Sequence, residues 1–281
     1  MPLQFSALVA SRAHTMGDSF SAHSLDLGGL GQAASPVLVL DDFRVRGHPF
    51  GPHPHAGFSA VTYVFEDSRS GLRSRDSLGN DVVVRPGGIV WTQAARGAMH
   101  DELPAERGRE LHGLQIFINL SARNKLAAPQ VLWLESSEVP EWRSRTGDRV
   151  RVAVGSFENL SSPLVPAEPF DLLDVDLRQE ISFGLRDGRN ALAYVVSGEV
   201  LVSAGVEQQK VTSQHALALS GAGALVRFRA VSPARLAVLS GVEIAEPVFA
   251  QGPFIMNDRS QVEAAIARYR AGQMGRLDAL S

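Results

Sequence analysis

An all-β architecture, a sandwich or barrel, is predicted for this chain by three observations. Short runs rich in β-branched and aromatic residues recur along most of its length. Gly, Pro, Asn and Asp punctuate them at close intervals. One stretch alone, near the C-terminal end, carries helical spacing. Many short strands separated by turn residues are the signature of β-sandwiches and β-barrels.

In chain order, the first strand is read at Ala60–Phe65, an alternation of small, β-branched and aromatic residues. Ser77-Leu78-Gly79-Asn80-Asp81 is strong turn chemistry and leads into a β-branched strand at Asp81–Arg85. Pro86-Gly87-Gly88 then opens Ile89–Gln93, and Leu111–Asn119 follows. Beyond Leu134–Gly147, which is rich in charge, Ser and Pro and reads as a connection, strands are predicted at Val150–Gly155 and Phe170–Leu177. Ala191–Ser197 and Glu199–Ala204 read as a hairpin about Gly198, followed by Ala216–Ser220 and Leu225–Ala230. The helical stretch is Arg259–Ala271. Ser260 and Glu263 have capping-box spacing, Val262, Ile266 and Tyr269 recur on one face, and Gly272 stands where a C-terminal cap belongs.

Two weak internal correspondences suggest tandem units. Val61–Phe65 resembles Ala193–Ser197, and Pro86–Val90 matches Gly221–Leu225. The 281 residues are enough for one large or two ordinary domains.

Hydrophobic residues make up 44% and charged residues 20%, so the chain has ample material for a core. A net charge of −3 gives no bulk electrostatic case for nucleic acid or anionic membrane as partner. The absence of cysteine excludes disulfides, thiolate metal sites and cysteine nucleophiles, and is compatible with a reducing cytoplasm. The first residues carry no signal-peptide pattern, and no window has 18 consecutive apolar residues; a cytoplasmic protein without a membrane span is expected.

The chemistry concentrates in two short runs, His53-Pro54-His55 and His100-Asp101-Glu102. In an extended strand, residues i and i+2 point the same way. Each run would therefore aim two ligands at one side of a sheet. Two such strands facing each other give three imidazoles and one carboxylate around a point, a donor set that suits iron, manganese, copper, nickel or zinc. Pro54 fixes its own φ and holds His53 extended. The same alternation selects Glu102 over Asp101, which points away from the face carrying His100.

The remaining histidines carry weaker readings. His112 lies within an apolar strand and reads as structural, or as a hydrogen-bond partner of a ligand. His48, shortly before His53, could line the entrance to a site. His14, His23 and His215 have no partner at ligand spacing. Dinucleotide and phosphate-binding glycine motifs and the Gly-x-Ser-x-Gly nucleophile motif are absent. Arg69–Arg75 reads as a solvated face, and Glu66 and Asp76 have no obvious pairing for glycoside chemistry.

At these residues the chain resembles the pirin family of the cupin superfamily. The likeness runs through Asp41-Asp42-Phe43, His53-Pro54-His55-Ala56-Gly57-Phe58, Thr62-Tyr63-Val64 and Arg75-Asp76-Ser77-Leu78-Gly79-Asn80. It continues in Pro86-Gly87-Gly88, Trp91, Ala95-Arg96-Gly97-Ala98-Met99-His100-Asp101-Glu102 and Leu111-His112-Gly113-Leu114-Gln115, and returns in Gly252-Pro253-Phe254-Ile255-Met256-Asn257.

The resemblance implies an all-β bicupin: two tandem jelly-roll-like barrels with a short C-terminal helix. It places an N-terminal metal-binding cupin domain at residues 1–135 and a C-terminal cupin domain without metal ligands at residues 136–281. It implies one divalent metal, Fe(II) first, with Mn, Cu, Ni or Zn accepting the same donors, held by His53, His55, His100 and Glu102. The activity implied is that of a quercetin 2,3-dioxygenase, with a flavonol-like substrate, O2 as co-substrate and Glu102 as both ligand and base. The alternative implied is an iron-dependent, redox-sensing regulatory protein that binds a transcription factor or metabolic enzyme. The chain departs from the family's His-Arg-Gly-Phe-Glu run, which here reads His55-Ala56-Gly57-Phe58-Ser59. That difference bears on the surroundings of the site and on substrate preference more than on the ligands.

Overall fold

The computed structural model describes residues 2–280, and its strands form two compact units. One holds residues 13–22, Val39–Ser137 and the chain from Ile244 onward. The other holds the N-terminal stretch through Arg12, His23–Leu38 and Glu138–Glu243. Beside the sequence-based cut between residues 135 and 136, the chain thus crosses between units at Ser137 and Glu138, and each unit takes in a segment from the far end of the chain.

The first unit is built on a seven-stranded sheet. Its order is Gln130–Leu134, Ile89–Gln93, Phe58–Val64, Leu111–Asn119, Val37–Val45, Phe20–Ser24 and Arg12–Met16. A four-stranded sheet accompanies it, ordered His53–His55, Ala98–Pro104, Leu72–Asp76 and Asp81–Val84.

The second unit repeats this arrangement. Its larger sheet runs Gln4–Phe5, His215–Ser220, Arg189–Ser197, Ala234–Val242, Phe170–Leu177, Arg149–Val154 and Glu141–Arg143, with Val9–Ala10 also paired to the 215–220 strand. Its smaller sheet runs Glu180–Leu185, Ala224–Ala230, Glu199–Ala204 and Glu207–Thr212.

The matching sheet orders make Phe58–Val64 the counterpart of Arg189–Ser197, as the first internal correspondence suggested. The second correspondence does not hold. By sheet position, Ile89–Gln93 is matched by His215–Ser220. Pro86-Gly87-Gly88 enters that strand, whereas Gly221-Ala222-Gly223 leaves its counterpart and leads to the next. Glycine-rich turns mark strand ends of either kind, and shared turn chemistry misled the alignment.

The sequence-based strands recur within a residue or two. The reading missed Val37–Val45, Leu72–Asp76 and Ala234–Val242, among others. Leu72–Asp76 is part of the segment read as a solvated arginine face. Its residues alternate between buried and half-buried, and Arg75 forms an ion pair with the buried Asp101.

The helix spans Arg259–Arg270, but its cap is not the Ser260–Glu263 box. Asp258 is extended and its carboxylate accepts from the Gln261 N–H at 2.9 Å and from the Ser260 hydroxyl at 2.6 Å. Glu263 instead pairs with Arg259. An aspartate two residues before the expected cap competes better, because its charge also meets the helix N-terminus.

Val262, Ala265 and Ile266 of the helix pack with Phe254, Met256 and Met274 over Ala56. This seats the hairpin of Phe249–Gln251 and Phe254–Met256 beside the His53–His55 strand: Ala56 N–H donates to the Pro253 carbonyl and Ile255 N–H to the Ala56 carbonyl. At Gly57, φ is +90°, and a Cβ would lie 1.8 Å from the Ile255 carbonyl oxygen. Only glycine fits there. The buried Lys125 ammonium completes the junction by donating to Gly57 O, Asn119 Oδ1 and Ile255 O at 2.6–2.8 Å.

Candidate metal centre

Antiparallel pairing brings the two ligand runs together. His100 is the direct cross-strand partner of His53, and Ala98 that of His55. On the other side of the same strand, His100 faces Asp76 and Glu102 faces Ser74. The i, i+2 alternation then turns His53, His55, His100 and Glu102 into one interior. Asp101 points the opposite way. It is fully buried there, paired with Arg75 at 3.1 Å and with His48 Nε2.

The three imidazoles converge through Nε2. His100 Nε2 lies 2.9 Å from His55 Nε2 and 3.1 Å from His53 Nε2. His53 Nδ1 is 2.9 Å from the Gly51 carbonyl, which can only accept, so the Nδ1 proton is committed and Nε2 presents its lone pair. Burial is the main cause holding His55 down to about 3, with the neighbouring His53 adding to it. Burial, then His55 and His53, likewise lowers His100 well below the ordinary histidine range.

His55 and His100 are therefore held neutral, and neutral imidazoles cannot satisfy this contact set. Each close N···N approach needs one N–H, and His100 Nε2 carries at most one proton for two neighbours. One pair of lone pairs is left facing each other. A cation at the point of convergence removes that conflict. The separations also suit one: adjacent nitrogens bound at ~2.1 Å and right angles lie about 3.0 Å apart. These three residues form the cluster capable of holding a metal ion among the described residues.

Glu102 stands beside the triad, with Oε1 3.9 Å from His100 Nδ1. Thr62 Oγ1–H points to Glu102 Oε2 at 2.6 Å, and Ser74 Oγ lies 3.5 Å from Oε1. Burial raises the Glu102 carboxyl to about 7, against the pull of the two hydroxyls. Gln115, the cross-strand partner of Thr62, has Oε1 3.1 Å from the same hydroxyl, while its Nε2 donates to the Val61 carbonyl.

All four residues line one cavity of about 490 Å3, whose other walls include Phe20, Phe43, Leu72, Leu111 and Phe117. That volume lies in the range of small-molecule sites of ~300–1,000 Å3, and the mix of apolar walls with a few converging polar groups is typical of them.

The other histidines do not reach the triad. His112 is buried on the outer side of its strand, with Nε2 3.0 Å from Asp42 Oδ1 and Nδ1 3.3 Å from Asp67. His48 binds Asp101 and thereby anchors the loop whose Pro49, Phe50 and Gly51 line the cavity. His14 packs against the Phe20 ring, His23 contacts Ser11, and His215 meets the Ser213 carbonyl. Sequence reasoning missed Thr62, Ser74 and Gln115. Ala56 and Ser59, the departures from the family run, are both buried. Ala56 lies under the C-terminal hairpin, and no partner meets the Ser59 hydroxyl.

Comparison with known proteins agrees with this geometry. The family model described as Pirin matches residues 5–118, and that described as Pirin C-terminal cupin domain matches residues 172–275. A Pseudomonas aeruginosa protein named "Putative quercetin 2,3-dioxygenase" is 34% identical over 250 residues, covering 84% of this chain and 86% of the relative. Human pirin is 32% identical over 246 residues, covering 85% and 83%.

Among solved structures, a quercetin 2,3-dioxygenase from Acinetobacter baumannii superposes with a TM-score of 0.87 at 24% identity, covering 98% of this chain and 99% of that one. The Escherichia coli pirin YhhW in complex with nickel(II) superposes with a TM-score of 0.66 at 20% identity, covering 86% and 100%. At those identities the two structures speak for the shared fold. No helix among the described residues is long and apolar enough to cross a membrane.

Proposed function

This chain belongs to the pirin family, and on that premise we propose that it is a metal-dependent dioxygenase of flavonol-type substrates, with His53, His55, His100 and Glu102 holding one divalent ion. The observation that carries the reading is the convergence of three imidazole Nε2 atoms beside a carboxyl at one end of a mostly apolar cavity. Fe(II) is the metal we propose first; the same donors accept Mn, Ni, Cu or Zn. When bound, the ion supplies a Lewis-acidic centre able to work with O2.

The protein's own groups do the rest. Glu102, held by the Thr62 hydroxyl, takes the proton of the substrate's hydroxyl. Thr62, itself shared with Gln115, fixes the direction in which the carboxylate points. Phe43, Leu72 and Leu111 exclude water from the reacting face and present a flat apolar surface to a planar ring system.

The test is direct. Protein purified without oxygen and loaded with one metal equivalent is mixed with quercetin, and O2 uptake is followed together with the metal content. Stoichiometric uptake that depends on the metal is expected. Full occupancy with no O2 consumed against a panel of flavonols would reject the enzyme reading.

A further inference from the structure

We propose that Phe50 is a specificity-determining residue: with Phe20 it forms an aromatic clamp at the cavity mouth that favours chelating ligands carrying a second aromatic ring. The inference rests on the flavonol reading above and names the part of the protein that grips the ring farthest from the imidazoles.

The cavity has two chemically different ends. His55 and His100 are 5% and 3% exposed and mark its floor, whereas Phe50 lines the same cavity and is 44% exposed. A side chain that lines a cavity and is also widely exposed stands where the cavity meets solvent. Phe50 and Phe20 approach with ring centroids 5.1 Å apart and planes at 88°. In such an edge-to-face pair, the ring that offers its edge keeps both faces free, and edge-to-face or offset stacking can then extend to a third ring.

The two jaws differ in support. Phe20 is half-buried against Phe43, Val45, Leu72 and Leu111 and is fixed by the core. Phe50 projects from a loop that is pinned on both sides. His48 holds one side to Asp101, and the Gly51 carbonyl accepts from His53 Nδ1 on the other. Pro49 and Pro52 further restrict the backbone. An exposed Phe on a restrained loop is a preorganised contact, with little freedom to lose when a ring settles on it. A flavonol matches both ends. Its 3-hydroxy-4-ketone faces the imidazole and carboxylate end, and its phenyl substituent extends towards the mouth.

Phe50 is the residue to alter, because Phe20 is part of the core. Binding of quercetin and of maltol is measured without oxygen on metal-loaded wild type, Phe50→Ala and Phe50→Trp. Maltol carries the same 3-hydroxy-4-ketone on a single ring. Quercetin binding is expected to weaken roughly tenfold in Phe50→Ala and to recover in Phe50→Trp, the size of one aromatic contact. Maltol binding and metal content are expected to stay unchanged in both. Equal quercetin affinity in wild type and Phe50→Ala, or an equal loss for maltol, would overturn the clamp alone. Failure of metal-loaded wild type to bind quercetin would overturn the flavonol reading and the clamp with it.

Discussion

Replacing His55 with Gln removes one imidazole from the triad and makes a quantitative test of its buried, neutral state. In the folded metal-free protein His55 titrates at about 3, against 6.5 for an ordinary histidine. Between those values the unfolded chain binds a proton that the folded chain refuses, so stability falls as pH falls from 6.5 towards 3. The unfolded histidine is already half protonated at pH 6.5, so the His55 contribution between pH 6.5 and 4.5 amounts to about 2.3 kcal/mol of lost stability, at a limiting slope of about 1.36 kcal/mol per pH unit. Urea unfolding at both pH values, with chelator present, gives the measurement. Carboxylates and the distant histidines add a pH dependence common to both proteins, while His100, which His55 helps to hold down, is relieved in the variant and moves the difference in the same direction. His55→Gln is expected to lose at least about 2.3 kcal/mol less than wild type over that interval. Parallel pH profiles would refute the neutral-imidazole argument, and with it the reason for expecting a cation at the triad.

Other outcomes are expected on the same physical grounds. Glu102→Gln keeps the three imidazoles and should retain metal, but turnover should fall roughly a hundred- to ten-thousand-fold, the usual worth of a positioned acid–base group, as read by steady-state O2 uptake beside metal quantification. Gly57→Ala places a Cβ at φ +90° against the Ile255 carbonyl. A left-handed penalty of ~1–2 kcal/mol plus displacement of the hairpin should lower stability by about 3 kcal/mol in urea titration. Asp258→Ala removes the helix cap and should cost about 1 kcal/mol, a value that Ser260→Ala should not reach if Asp258 is the cap.

Strand alternation made the site legible because it depends only on parity. His53/His55 and His100/Glu102 are each two residues apart, so an extended backbone alone puts each pair on one face, while Asp101 must take the other. What parity cannot supply is which face is inside. Leu111, Gln115 and Phe117 line the cavity, while His112 on the same strand turns outward to Asp42. Both faces of that strand are apolar in sequence, so nothing in it distinguished Gln115 as the inward residue or His112 as the outward one. Thr62 was hidden for a related reason. A threonine amid Val61 and Tyr63 looks like β propensity, and its hydroxyl acquires meaning only through Gln115, its cross-strand partner, and Glu102, which the other sheet brings near. The helix cap failed differently: two local signals competed, and the charged one prevailed.

The two units also show what packing the imidazole triad replaces. Their smaller sheets have the same strand order and an equivalent pairing at the equivalent place. Where His53 faces His100 in one, Ile181 faces Phe228 in the other, and Phe183 faces Val226. Those four apolar side chains are buried in a core with Val200, Val202 and Leu236. Burying each is worth ~1.5–3 kcal/mol, and the interior closes without a ligand. At the matching positions stand three imidazoles and Ala98, with Glu102 two residues beyond His100; the imidazoles forgo that gain and add lone pairs that cannot satisfy one another. A bound cation at a thousand times its dissociation constant would return about 4 kcal/mol by linkage, offsetting part of the apolar packing given up. One topology therefore supports two ways of filling a barrel. The inward residues of two short strands decide between a self-sufficient apolar core and a hollow one lined by imidazoles and a carboxyl.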